Sequence, residues 1–185
     1  MSRWRNTGER YGAVAIALHW VMALLLLALV ALGWYLVRLP DVGYDTRKIY
    51  LILTHKELGI LALALALVRL AWRVGQALPA LTDTLPDRQK VLARLVHLCL
   101  YALMFALPLT GWLMSSAAGF TVSFLELFDL PDLVRADDFL YGVLVTAHRW
   151  LAYALVGTIV LHAGAALRHH FVFRDATLTK MLRTR

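Results

Sequence analysis

Four long apolar runs are the feature of the sequence that most constrains its fold. They cover residues 13–37, 51–72, 95–114 and 139–167. Each run can cross a bilayer, because a spanning helix needs about 20 mostly apolar residues. Lipid offers backbone groups no hydrogen-bond partner, so each run is predicted to be helical. The predicted fold is an all-α, integral membrane four-helix up-down bundle that forms a single domain over residues 1–185.

Composition excludes most other classes of protein. Hydrophobic residues make up 61% of the chain and charged residues 17%, against about 45–50% and about 25% in soluble domains. The basic residues flank the apolar runs and form no concentrated footprint for nucleic acid. A single cysteine, Cys99, excludes a disulfide framework and a cysteine-only metal site. The first run is longer than the core of a signal peptide, so we expect it to be retained.

The distribution of Lys and Arg predicts the orientation in the membrane. Thirteen of the nineteen lie on one side of the predicted spans. These are Arg3, Arg5, Arg10, Arg69, Arg73, Arg88, Lys90, Arg94, Arg168, Arg174, Lys180, Arg183 and Arg185. The positive-inside rule makes that side cytoplasmic. We therefore expect a multi-pass membrane protein with both termini in the cytoplasm.

Two longer connections join the predicted spans. Residues 76–90 form a polar inner loop that contains Pro79 and Pro86, and residues 115–138 form an outer loop. Within the outer loop, residues 120–130 mix aromatic, leucine and acidic side chains. Such a mixture predicts a short helix that lies along the membrane interface.

Histidines occur at two depths of the predicted bundle. Counting along each span places His55 and His148 near the outer side, and His19, His97 and His162 near the inner side. Ionisable residues within spans are costly, so they are candidates for function. The count alone does not decide which inner histidines belong together.

The fourth span carries a histidine at each depth. His148 and His162 are separated by 14 residues, which is about 21 Å along a helix and within about 40° of one face. Two bis-imidazole sites, one above the other, match haem iron bound between helices of a bundle. Gly33 and Gly111 each lie 14 residues after a histidine, where a porphyrin could approach the backbone.

Plainer interpretations exist for several of these residues. A membrane histidine can simply form a hydrogen bond to a neighbouring helix. His97 could be such a residue, or could contact a propionate or a quinone. His169 and His170 follow Arg168 at the inner end and could extend toward water. Zinc would need its ligands clustered in one site, and these histidines are divided between two depths.

Four segments resemble the bacterial four-helix dihaem cytochrome b-561 family, and the resemblance covers roughly the whole chain. They are ALHWVMALLL, LTHKELGIL, ARLVHLCLYALMFALPLTGWLMS and AHRWLAYALVGTIVLHAGAALRHHFVFRDATLTKM. The resemblance implies two haems b as cofactors, with His19 and His162 on the inner iron and His55 and His148 on the outer iron. The outer pairing agrees with the depth count.

Family resemblance also implies a place in the bacterial inner membrane, and it implies the activity. Family members pass single electrons between a donor at the outer face and membrane quinone. One branch is similar to superoxide oxidase, which oxidises superoxide and reduces ubiquinone. The partners expected are therefore the lipid bilayer, ubiquinone, and superoxide or another periplasmic electron donor.

Two sets of cations lie close to the predicted haem ligands. Lys56 and Arg149 directly follow the outer histidines, and could hold propionates, attract superoxide or extend to the interface. Arg69 and Arg73 lie one turn apart at the inner end. They could hold inner propionates or act only as positive-inside anchors.

Three functions compete on the sequence. The first is a superoxide:ubiquinone oxidoreductase. The second is a cytochrome b subunit that connects a periplasmic redox protein or a hydrogenase-like complex to quinone. The third is a non-haem membrane protein. The short chain and the four spans favour the self-contained enzyme.

Overall fold

The computed structural model of the chain describes residues 3–40, 45–77, 79 and 86–182. Four long helices account for most of it: α1 over Ala13–Arg38, α2 over Thr46–Val74, α3 over Asp87–Ala117 and α4 over Asp138–Arg168. All four are long and apolar enough to cross a membrane. Arg183 and Arg185, used for the predicted orientation, lie outside the described residues, as does most of the loop between α2 and α3.

Helices α2, α3 and α4 are longer than the apolar runs that predicted them. Polar caps begin α2 and α4, whereas α3 begins after Pro86 without a side-chain cap. The Asp45 carboxylate accepts hydrogen bonds from the backbone N–H groups of Arg47 and Lys48, at 2.9 and 3.2 Å. Asp137 accepts one from Leu140 N–H at 2.8 Å. Each satisfies donors that a first helical turn leaves unpaired.

Helix packing follows the order of the chain. In the described ranges, close backbone packing joins α1 with α2, α2 with α3, and α3 with α4. An apolar core cluster at mid-bundle includes Met22, Leu26, Ala66, Met104 and Leu155, so every helix contributes to it. Helix α4 approaches α1 and α2 through histidine side chains.

The short helix expected within residues 120–130 is wrong. Strands β1, Val122–Phe124, and β2, Phe128–Leu130, form an antiparallel hairpin there. Apolar and polar residues alternate along both strands. The register therefore pairs Phe124 with Phe128 on one face and Ser123 with Asp129 on the other. Buried Val122 packs the hairpin onto the bundle.

Beyond α4 the chain folds back under the bundle. A π-helical turn over His169–Phe173 is followed by a 3₁₀ turn over Thr179–Met181. The indole N–H of Trp20, on α1, donates a hydrogen bond to the Met181 carbonyl at 2.8 Å. This bond holds the C-terminal segment against the helix that carries His19.

Candidate functional site

The structure brings His55 of α2 beside His148 of α4, as the depth count predicted. Their ring centroids lie 6.4 Å apart, with ring planes at 76°. Both imidazoles line a small cleft between α2, α3 and α4. Val122 of the hairpin and the ammonium-bearing Lys56 also line this cleft.

Two glycines on neighbouring helices lie close to this histidine pair. A Cβ added at Gly33 would lie 3.2 Å from His55 Cε1, and one at Gly111 would lie 3.4 Å from His148 Cε1. The spacing argument placed these glycines at the right depth. In the structure these glycines lie against the histidine rings, so they set how closely each imidazole can approach the neighbouring helix.

Neither Thr110 nor the backbone around it was singled out in the sequence. The Thr110 hydroxyl of α3 lies 3.0 Å from His148 Nδ1 and 2.9 Å from the Leu107 carbonyl oxygen. The His55 Nδ1, in contrast, is buried with no hydrogen-bond partner among the described residues. The two histidines of this pair are therefore held differently.

The second histidine group joins α1, α3 and α4. The rings of His19 and His162 are 6.1 Å apart at 60°, and the His97 ring lies 5.2 Å from that of His162. His97 Nδ1 lies 2.7 Å from the Ala93 carbonyl oxygen and must donate to it, because a carbonyl only accepts. All three inner histidines predicted from sequence thus meet at one level.

Arg69 and Arg73 lie at the same level and share Tyr101, another residue that the sequence analysis missed. Arg69 donates to the Tyr101 hydroxyl at 3.3 Å and to His19 Nδ1 at 3.1 Å. The Arg73 guanidinium lies 5.6 Å from the centre of the Tyr101 ring. Arginine only donates, so Arg69 must turn away from Nδ1 if His19 binds a metal through Nε2.

Both histidine pairs fit a metal between their rings. A metal held between two rings by bonds of about 2.0 Å to one nitrogen of each ring places the ring centres about 6 Å apart. The observed separations are 6.4 and 6.1 Å. The His97 ring lies closer to His162, at 5.2 Å and 78°, and contacts it edge-on.

The structure places the outer cations in different surroundings. Lys56 lines the cleft, and its Nζ lies 5.5 Å from the centre of the Phe120 ring. Arg149 is exposed and does not belong to the residues that line the cleft. Arg47 points elsewhere and donates to the Tyr35 hydroxyl at 2.8 Å.

His169 belongs to a polar contact at the end of the bundle. Its Nδ1 lies 2.6 Å from an Asp175 carboxylate oxygen. Burial acts to raise the pKa of Asp175, but hydrogen bonds from Thr177 and His169 outweigh it and hold the pKa below its ordinary value of 3.8. His169 is thus tied to the C-terminal segment rather than extended into water.

Four spanning helices and paired intramembrane histidines define a haem-binding electron-transport protein of the membrane. The family model described as prokaryotic cytochrome b561 matches residues 10–184. The chain belongs to that family. The family implies b-type haem, electron transfer within the membrane and the four-helix transmembrane bundle seen here.

Similar proteins cover almost the whole chain. Cytochrome b561 homolog 2 of Escherichia coli K12 is 35% identical over 96% of this chain and 93% of its own length. Cytochrome b561 homolog 1 of the same organism is 31% identical over 94% and 97%. A protein of Yersinia pestis named probable superoxide oxidase CybB is 28% identical over 94% and 96%.

Proposed function

We propose that this protein is a dihaem b-type cytochrome that transfers electrons from superoxide, at the outer membrane face, to ubiquinone. The observation that carries the proposal is the two two-histidine sites that share α4, each with ring centroids a little over 6 Å apart. The name of the Yersinia pestis relative supports superoxide as the donor.

Four histidines would hold the two haems in this proposal. His55 and His148 would hold the outer group, and His19 and His162 the inner one. Bound haem supplies a one-electron iron couple at each site. Arg69 and Arg73 are cationic donors that would hold the propionates of the inner haem. His97 contacts the His162 ring and is proposed to contact a propionate or a quinone. The positive-inside rule supports the inner membrane with cytoplasmic termini.

Electron balance fixes the stoichiometry of the proposed reaction. Each superoxide anion loses one electron and leaves as dioxygen. Ubiquinone takes two electrons and two protons to become ubiquinol, so two superoxide anions are consumed for each quinone reduced. The two histidine levels on α4, about 21 Å apart, divide the electron path into two shorter steps.

Lys56 is proposed to attract the anionic donor. Lys56 lines the cleft that holds His55 and His148, and a local positive charge raises the rate at which a small anion arrives. Arg149 was given the same role from sequence. Its exposed position supports a smaller contribution that salt screens readily.

Ligand variants test the haem assignment. A pyridine haemochrome assay should give two haems b for each wild-type chain and one for His148→Ala or His162→Ala. The two variants should lose different absorption components, because their sites are separate. His170→Ala, outside the four paired histidines, serves as the control and should retain both haems. Two haems in His148→Ala would refute the ligand assignment.

Stopped-flow reduction by superoxide tests the donor. The purified protein should be reduced rapidly and should turn over with ubiquinone. Lys56→Gln should slow reduction several-fold and weaken its dependence on ionic strength, whereas Arg149→Gln should change it less. If superoxide does not reduce a protein that contains both haems, the protein is instead a subunit that accepts electrons from a periplasmic redox protein.

A further inference from the structure

The Leu107 carbonyl, the Thr110 hydroxyl and the His148 ring form a chain of three polar groups that joins α3 to α4. The Thr110 hydroxyl oxygen lies 2.9 Å from the Leu107 carbonyl oxygen on its own helix and 3.0 Å from His148 Nδ1 on the next. All three groups are partly buried within the bundle.

Donor and acceptor counting assigns the protons in this chain. A carbonyl oxygen can only accept, whereas a hydroxyl has one proton to donate and lone pairs that accept. The Thr110 proton therefore goes to Leu107. Toward His148, the Thr110 oxygen can then only accept a hydrogen bond. His148 Nδ1 must therefore carry a proton and donate a hydrogen bond to Thr110. Neutral His148 then has its lone pair on Nε2, which is the form that binds iron.

We infer that Thr110 is a positioning residue for His148: its hydroxyl selects the Nε2-binding tautomer and fixes the plane of the ring. The inference rests on the proposed function, since it presupposes that His148 binds the outer haem. Metal-binding histidines usually donate their second N–H to such an acceptor, which orients the ring and raises its basicity.

The partner histidine shows that this support is not shared. His55 Nδ1 is buried without a hydrogen-bond partner in the described part of the chain, although Gly33 limits its movement. The outer pair therefore has one ligand fixed by a hydrogen bond and one fixed only by packing. Properties of the outer haem that depend on ligand basicity should follow Thr110.

A comparison of three threonine variants tests the inference. Thr110→Val keeps the shape and removes the acceptor, and Thr110→Ser restores the acceptor without the methyl group. Thr146→Val is the matched control, because the Thr146 hydroxyl is exposed on α4 and donates only to the Gly142 carbonyl, at 3.0 Å. Redox titration and ferric EPR spectra should be recorded on the full-length, haem-loaded proteins.

Without the acceptor, His148 becomes a weaker donor to ferric iron. In Thr110→Val we expect about a tenfold loss in the preference for ferric over ferrous haem at one site. For one electron this is a rise of about 59 mV in the potential. The EPR signal of that site should shift with the ring plane. Thr110→Ser should return both values toward wild type, and Thr146→Val should change neither.

Several outcomes would overturn the inference. An unchanged potential and EPR signal in Thr110→Val, with two haems bound, would do so and would leave the ligand assignment intact. Equal shifts in Thr110→Val and Thr110→Ser would point to packing instead. If Thr110→Val loses the outer haem, retention by Thr110→Ser supports the inference and loss from both variants opposes it.

Discussion

At the scale of single residues, the main feature of the His55–His148 site is the close approach of two glycines to the imidazole rings. Gly33 and Gly111 lie where any larger side chain would meet a histidine ring. A Cβ contact of 3.2 Å at Gly33 is tighter than the usual packing distance of about 3.5–4.0 Å between carbon atoms. Glycine at this position therefore leaves room for the His55 ring, and its backbone flexibility is not what the site requires.

Gly33→Ala should disturb the outer site alone. The added methyl group would displace the His55 ring, and haem affinity at that site should fall about tenfold or more. The pyridine haemochrome assay after detergent washing should give close to one haem for each chain, with the inner component of the spectrum unchanged. Gly157→Ala is the control, because no atom of the described residues lies within 4 Å of its Cβ position. Equal haem loss in both variants would contradict the prediction.

Residue types and their spacing along one helix were predictable from the sequence, whereas contacts between helices were not. Helix periodicity placed His148 and His162 on one face and gave their depths. The sequence does not indicate a role for Thr110 or Tyr101, because the contacts of both residues depend on how α3 is rotated relative to the neighbouring helices. Thr110 is also an ordinary helix residue whose hydroxyl can bond to its own backbone, so its pattern carries no signal.

At the scale of elements, the hairpin shows how competing patterns can mislead. Aromatic and leucine residues beside acids suggested an interfacial helix, but the alternation in Val122–Phe124 and Phe128–Leu130 was the stronger indication. The ends of the loop also lie close together, since Asp137 N–H donates to the Ala117 carbonyl at 2.9 Å. A segment that must return to its starting point favours a hairpin over a helix.

The C-terminal segment offers a pH-dependent test of an element. Its Asp175 has a pKa below 3.8 in the folded protein, so the folded state binds fewer protons than the unfolded state near that pH. The carboxylate therefore stabilises the fold above about pH 3.8. That contribution is lost as the pH falls through the lower, folded-state pKa.

Asp175→Asn should lower the free energy of unfolding by about 1.5–3 kcal/mol at pH 7, the usual value for a hydrogen bond to a charged group. Thermal unfolding in detergent should show the difference from wild type, and that difference should shrink below about pH 3.8. Asp132→Asn, at an exposed carboxylate, should have little effect. A difference that grows at acid pH would have the wrong sign.

At the scale of the whole molecule, one apolar layer separates the two histidine levels. Leu155 is only 1% exposed and lies seven residues from both His148 and His162. It packs with Met22, Leu26 and Met104 at mid-bundle. The layer ties the helices together between the sites, so its packing should affect both sites equally.

Leu155→Ala should therefore destabilise the bundle without preference for either site. Leu→Ala costs about 2–5 kcal/mol in soluble cores, but lipid is as apolar as leucine. With mainly the cavity contribution left, we expect about 1–2 kcal/mol. Thermal release of haem should occur at a lower temperature for both sites, whereas Leu161→Ala, at a side chain 66% exposed, should behave like wild type. Release from one site only would argue against a shared layer.

Orientation is the remaining property of the whole molecule, and charge alone predicts it. Four crossings place both ends of the chain on one side, which carries thirteen of the nineteen Lys and Arg residues and should be cytoplasmic. A fluorescent protein fused after the C-terminus should therefore fold and fluoresce, and alkaline phosphatase inserted after Pro131, beyond β2, should be active in the periplasm. The opposite pattern would place Lys56 and the His55–His148 cleft on the cytoplasmic side, where a periplasmic donor could not reach them. The fusion experiment thus decides the topology and also whether this cleft can receive its proposed substrate.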